Sequence, residues 1–304
     1  MPRGQRKVVF QSGREITGQE LDDIQETVGL FPSLSRTELA ATISEHLGWV
    51  TLTGGSKINA CMKLLEKLES KGLIQLPAIQ EQYRQDHTQR PIVPTRRTDH
   101  RADIRGKLGD IGPVRVKAVS DEESTGLCNE YISRYHYLGY KKPFGYCLRY
   151  LVESDQDLLG CMMFAGAAKA LGARDQWIGW AQQERLRNLP WVINNCRFLI
   201  FPWVEVKNLA SHVLGQVVRR LRDDWQCRWG YSPVLVETFV DPAQYSGSCY
   251  KAANWQYLGM TTGEGLVRKG KHYRTSPKMI FTRPLEKGFR SLLCSHRLRG
   301  GMEQ

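Results

Sequence analysis

The chain has 304 residues, 41% of them hydrophobic and 24% charged, with a formal net charge of +12. That balance supports a buried core and excludes wholesale disorder, collagen-like repeats and low complexity. No apolar run approaches the ~20 residues that cross a bilayer, and the opening MPRGQRKVVF lacks an apolar leader, so a soluble, cytoplasmic chain with no membrane partner is expected. The eight cysteines form no Cys-x-x-Cys pair, which argues against a zinc ribbon or a thioredoxin-like site and for reduced thiols in the core. Charge is unevenly spread. Residues 1–100 carry 13 Lys and Arg against 12 Asp and Glu, whereas residues 101–304 carry 30 against 19. Such basic excess points to a polyanion, with nucleic acid first among polyanions.

In chain order, Ser35 with Glu38 forms the Ser-x-x-Glu capping box of a helix with Leu39, Ile43 and Leu47 at helical spacing. TLTGG breaks it. Ser56 is placed to cap a second helix, SKINACMKLLEKLESK, whose Ile58, Cys61, Met62, Leu65 and Leu68 make one stripe and which Gly72 ends. LIQLP then reads as a short strand closed by Pro77. Helix, turn, helix, glycine and strand is the grammar of a winged helix-turn-helix, assigned to residues 1–77. Lys57, Asn59 and Lys63 near the start of its second helix are the expected DNA contacts. The polar stretch 78–110, EQYRQDHTQRPIVPTRRTDHR at its centre, reads as a basic linker.

Residues 111–304 read as a mixed α/β domain. VRVKAV is a strand and DEESTGLCNEYISRYH a helix; GYCLRYLVES and DLLGCMMFAGAA form a hairpin. RFLIFPWV, the long amphipathic helix NLASHVLGQVVRRLRDDWQCRWG and the strand PVLVETFVD make a βαβ unit, which favours parallel pairing of its two strands. A short helix at 247–254 and the strand WQYLGMT follow.

That order resembles the core of the GCN5-related acetyltransferase (GNAT) fold, with CYKAANWQYLGMTTG at the place of its late helix and glycine-containing strand. The resemblance implies a phosphate-binding turn at the start of the long helix and puts Tyr250 near the place of that fold's general-acid tyrosine. Here the turn is Lys207-Asn208-Leu209-Ala210-Ser211-His212, which has no glycine, so coenzyme A is not expected. The strings NNCRFLIFPWVEVKNLASHVL, PVLVETFVDPAQYSGSCYKAANWQYLGMTTGEG, RYHYLGY, LLGCMMFAGAA and ARDQWIGW resemble the Druantia anti-phage protein DruA family, which also forms the N-terminal part of some transposases. This second resemblance covers almost the whole chain. It implies phage defence or mobile-element DNA work; taken with the basic charge, a DNA-binding component of an anti-phage system is expected, with other defence proteins such as a helicase as partners. An enzyme acting on DNA, a nuclease or base-modifying transferase, and a transposon-encoded accessory protein are the alternatives.

Four polar residues are the candidates for chemistry. Glu237 and Asp241 end the strand PVLVETFVD, and Asn208 and His212 open the long helix. Two carboxylates four residues apart on a strand stand roughly 13 Å apart, so they share a divalent metal only if the strand bends. Glu237 sits among apolar residues and needs a partner, Arg197 or another buried arginine, unless it is itself reactive. Cys249 at the start of a short helix invites a thiolate pair with His212. His136 in RYHYLGY, beside Arg134, Lys141 and Lys142, suits base stacking with phosphate contacts nearby. The stretch 261–304 has 10 Lys and Arg against three Asp and Glu. Within it Arg268, Lys269, Lys271, Tyr273 and Arg274 form the strongest expected nucleic-acid surface.

Overall fold

The computed structural model describes residues 9–31, 34–52, 54–78, 91–143, 146–263 and 276–295. They fall into two compact units. The first takes the described residues up to 78 together with 181–188 and 295, and the second takes residues 91–180 and 189–294.

The first unit begins with an antiparallel hairpin, β1 (Val9–Gln11) and β2 (Arg14–Ile16). Helices α1 (Gly18–Leu30), α2 (Arg36–His46) and α3 (Ile58–Ser70) follow. Thr17 and Ser35 close capping boxes with Glu20 and Glu38, so two orphan amides at each helix start are satisfied locally. Leu39, Ile43, Leu64, Leu65 and Leu68 have no appreciable exposure and form the centre of this unit's core.

Three details differ from the sequence expectation. Ser56 does not cap α3; it bridges to Val50, and Lys57 takes the N-cap position without a side-chain cap. No strand forms over LIQLP, because its backbone groups bond to side chains. Leu76 N–H donates to Glu69, Leu73 C=O accepts from Gln25, and Pro77 C=O accepts from Arg36. Among the described residues of this unit no strand follows α3, and its hairpin precedes its helices.

The second unit starts inside the expected linker. Residues 95–98 dock on helix α4 (Glu122–Tyr135), and β3 (Ile104–Lys107) is a strand. In chain order come β4 (Arg115–Val119), α4 (Glu122–Tyr135), β5 (Leu148–Glu153), β6 (Leu158–Gly166) and α5 (Gly172–Ile178). Helix α6 (Gln182–Asn188) belongs to the first unit. Then follow β7 (Val192–Ile200), β8 (Val204–Lys207), α7 (Leu209–Trp229) and β9 (Leu235–Val240). Last come α8 (Ser248–Ala252), β10 (Gln256–Met260), β11 (Met279–Pro284) and α9 (Phe289–Leu293).

Docking of 95–98 is specific. Tyr131 and Tyr135 hydroxyls donate to the carbonyls of Arg97 and Thr98, and the buried Thr98 hydroxyl donates to Glu130.

Seven strands form one mixed sheet in the order β10-β11-β9-β7-β6-β5-β4, while β3 and β8 pair separately and in parallel. Within the large sheet β7 and β9 are parallel, and α7 joins them by way of β8, which is the βαβ unit read from the sequence. Helix α7 buries Leu209, Val213, Leu214, Val217, Leu221 and Trp225 along one stripe and ends at Gly230 in the left-handed conformation.

Strands β6 and β7 approach so closely at Gly160 that a Cβ there would lie 2.3 Å from the carbonyl oxygen of Leu199. Gly160→Ala is therefore expected to destabilise the protein by about 1–3 kcal/mol in a denaturant titration. Gly172→Ala, with nothing within 4 Å of the added carbon, should leave stability level or raise it. Equal midpoints for the two variants would contradict this packing.

Candidate functional site

The parallel pairing of β7 with β9 covers only Val192–Asn194 against Leu235–Glu237. Past that point both strands continue, β7 to Ile200 and β9 to Val240, but they no longer pair with each other. The sheet forks. Side chains fill the first missing rung. Thr238 donates its hydroxyl proton to Asn195 C=O at 2.9 Å, and buried Tyr250 donates to Asn195 Oδ1 at 2.9 Å. The Asn195 amide nitrogen in turn donates to the carbonyls of Met163 and Arg197. Beyond this plug the fork opens into a cavity of about 280 Å³. Arg197 and Phe198 of β7, Phe239 of β9, Ala210 of α7, Tyr250 of α8 and His136 line it.

Glu237 occupies the last paired rung and faces away from the plug, since successive side chains on a strand alternate. It and Arg174 of α5 are both fully buried, and Arg174 Nη1 donates to Glu237 Oε2 at 2.7 Å. Ala168 N–H donates to the other carboxylate oxygen at 2.8 Å, and Arg174 Nη1 also reaches Ala168 C=O. Arg174 bonds Asp175 as well and lies over the Trp180 ring. Burial pushes the Glu237 carboxyl above its ordinary range, and Arg174 and the Ala168 amide oppose that rise. The partner is thus Arg174 on a helix, not Arg197 on the neighbouring strand. Arg197 instead donates to Gly139 C=O and Cys196 C=O at the cavity wall.

At the mouth of the cavity, His136 Nδ1 accepts from Leu138 N–H at 3.2 Å. Burial and the positive charges of Arg197 and Lys278 push its pKa down to about 4, so the ring is neutral near pH 7. Its proton then sits on Nε2, because Nδ1 is an acceptor. Tyr137 stacks on His136, with ring centroids 4.9 Å apart, and Tyr245 lies 5.8 Å from Tyr137. Lys278 Nζ stands 5.8 Å over the Tyr137 ring. Asp241 accepts from Ala243 N–H and from the Ser276 hydroxyl.

The four candidates for chemistry are not brought together. Glu237 is sealed behind the fork and Asp241 lies past the end of β9. Asn208 and His212 line a separate hollow of about 730 Å³ with Ser211, Arg219 and Arg283. Asn208 holds the N-cap of α7 at φ 65° without a side-chain cap, and His212 faces Gln216 across 2.8 Å. Cys249 lines the fork cavity rather than that hollow, and burial raises its pKa, so the expected thiolate pair with His212 does not form. Among the described residues no group of three or more His, Cys, Asp and Glu stands ready to hold a metal ion.

The expected DNA contacts fare variously. Asn59 and Lys63 are exposed on α3, while Lys57 is half-buried and its pKa lowered by burial and by Arg14. Arg134 is bound to Asp99 at 2.7 Å and lies over the Tyr135 ring. Lys141 and Lys142 are exposed, and His136 lines the cavity. Arg268, Lys269, Lys271, Tyr273 and Arg274 lie outside the described residues. Sequence reasoning missed Asn195, Thr238, Arg174, Tyr137 and Tyr245. The paired asparagines in VINNCRFLI were the one available signal, since polar residues interrupt an otherwise apolar strand.

A family model described as Druantia protein DruA matches residues 67–292. No curated protein matches the sequence. Among solved structures, a Bacillus subtilis acetyltransferase in complex with CoA is 8% identical, with a TM-score of 0.32, over 57% of this chain and 99% of that one. A Drosophila melanogaster polyamine N-acetyltransferase is 12% identical, with a TM-score of 0.36, over 57% and 100%. An aminoglycoside acetyltransferase in complex with coenzyme A and kanamycin is 14% identical, with a TM-score of 0.36, over 57% and 95%. Likeness this distant says nothing of substrate or cofactor.

Neutralising Glu237 leaves the buried Arg174 guanidinium with Asp175 as its remaining carboxylate. Glu237→Gln is therefore expected to cost about 1–3 kcal/mol of stability, read as a lowered midpoint in urea. The paired change Arg174→Met with Glu237→Leu should recover much of that loss. An unchanged midpoint for Glu237→Gln would contradict the buried ion pair.

Proposed function

The chain belongs to the DruA family, and from that premise we propose that it is the DNA-binding component of a Druantia-type anti-phage system, engaging DNA at the open end of the β7–β9 fork. One observation carries the reading. The segment with Arg268, Lys269, Lys271, Tyr273 and Arg274 is flanked by residues fixed at the sheet end where the fork opens. Thr261 and Lys278 exchange two hydrogen bonds, Ser276 donates to Asp241, and Lys278 covers Tyr137. The His136-to-Lys142 stretch begins at the same mouth. Lys278, the start of the Lys141–Lys142 stretch and exposed aromatic rings therefore meet at one place, the combination that tracks a phosphate backbone while offering ring faces to bases. Asn59 and Lys63 on α3 offer a further contact surface. A helicase partner and a cytoplasmic setting go with the same reading.

A second reading, a group transferase acting on DNA, is favoured by one feature. The fork cavity reaches Ala210 in the first turn of α7, where helix amides lack intrahelical partners and favour anions. Lys207 and Ser211 flank that turn, but it has no glycine to let a pyrophosphate approach the backbone closely. Titration with acetyl-CoA in a calorimeter separates the two: binding heat supports the transferase, and its absence leaves the DNA-binding component.

Counterion release makes phosphate contacts sensitive to salt. Affinity for DNA, followed by fluorescence anisotropy, is expected to fall at least about tenfold between 50 and 200 mM salt. Replacing Lys141 and Lys142 by Ala should weaken binding and flatten that dependence without changing thermal stability. Affinity indifferent to salt would overturn the reading.

A further inference from the structure

We propose that the β7–β9 cavity receives a single unpaired nucleobase of DNA, with Tyr245 as the stacking ring at its mouth beside Tyr137. The inference rests on the DNA-binding reading and names what enters the fork.

Size is the first argument. At about 280 Å³ the cavity sits at the low end of small-molecule sites. It has room for one heteroaromatic ring system and far too little for a base pair. Its depth is limited by the Asn195, Thr238 and Tyr250 plug, so an entering group stops at the point where the strands separate.

The walls suit a flat ring. Phe198 and Tyr250 meet edge to face within the cavity, with centroids 6.3 Å apart. At the mouth Tyr137 and Tyr245 expose 40% and 57% of their surface. Large aromatic side chains this exposed, side by side and next to cations, form the kind of platform on which bases stack. His136 stacks on the Tyr137 ring and Lys278 lies over it, which fixes that ring beside the more exposed Tyr245.

The polar groups suit the edge of a base. His136 is neutral, with Nδ1 occupied by Leu138 N–H, so Nε2–H is a donor of fixed identity. The hydroxyls of Thr238 and Tyr250 spend their protons on Asn195 and retain lone pairs to accept. A base edge needs both donor and acceptor partners, and an unpaired base is the form whose edge is free to meet them. Arg197 lines the cavity and Lys278 lies over Tyr137, so positive charge stands beside the place that a base and its phosphate would enter.

The test uses the full chain and two duplexes, one fully paired and one with a single unpaired 2-aminopurine as the fluorescent base. The wild-type protein is expected to bind the second duplex more tightly and to quench its emission. Tyr245→Ala, an exposed position whose loss leaves the core intact, should reduce that preference about tenfold. Affinity for the paired duplex should fall less than affinity for the duplex with the unpaired base. Ala210→Phe, which fills the cavity from the α7 wall, should abolish the quenching from the inside. Equal affinity for both duplexes with unchanged emission would overturn the base cavity while DNA binding stands. No binding to either duplex at low salt would overturn both.

Discussion

The Arg174–Glu237 pair is the interaction on which the arrangement of the fork depends. Both groups are fully buried, so each needs the other's charge and the extra bonds from Ala168 and Asp175 to offset the loss of water. The pair pins α5 and the segment around Ala168 to β9 at the last rung that β9 shares with β7. One residue later the strand direction is free to diverge. Alternation along β9 then sends Thr238 to the other face, where it caps Asn195 and starts the cavity. A structural carboxylate and the floor of the candidate site are thus neighbours in sequence that serve opposite faces of one strand.

The fork gives polar atoms a reason to sit inside an otherwise apolar sheet. A parallel pair that stops early leaves backbone acceptors without strand partners, and unpaired buried groups are costly. Asn195 meets that demand with three side-chain bonds and a fourth to its own carbonyl from Thr238. Tyr250 joins α8 to the same plug and stacks on Phe281 of β11. The cavity is therefore bounded by rigid elements on its inner side, while its outer rim is made of exposed aromatic rings and the anchored ends of basic segments.

Much of this was legible in the sequence. The Ser35–Glu38 capping box, the stripe of α7 and the βαβ order with its parallel pairing all rest on local periodicity, and local periodicity survives into the fold. Elements that depend on distant partners were not visible. β3 lies in a segment that reads as linker, and its pairing with β8 is set by residues about 100 positions away. LIQLP has strand-like composition, but Glu69, Gln25 and Arg36 take its backbone bonds. Glu237 was recognised as a buried carboxylate in need of a partner, yet its arginine sits on α5 in ARDQW, where nothing marks it as inward-facing. The cavity itself is a product of strands diverging, which no single segment encodes.

The proposed meeting of DNA with the open end of the fork is open to direct measurement. Photo-crosslinking of DNA carrying 5-iodouracil, followed by mass spectrometry of the crosslinked peptides, tests it most directly. Adducts are expected on Tyr137 and Tyr245 and in the peptides flanking Lys278. Adducts confined to the α3 surface around Asn59 and Lys63, with none at the fork, would contradict it.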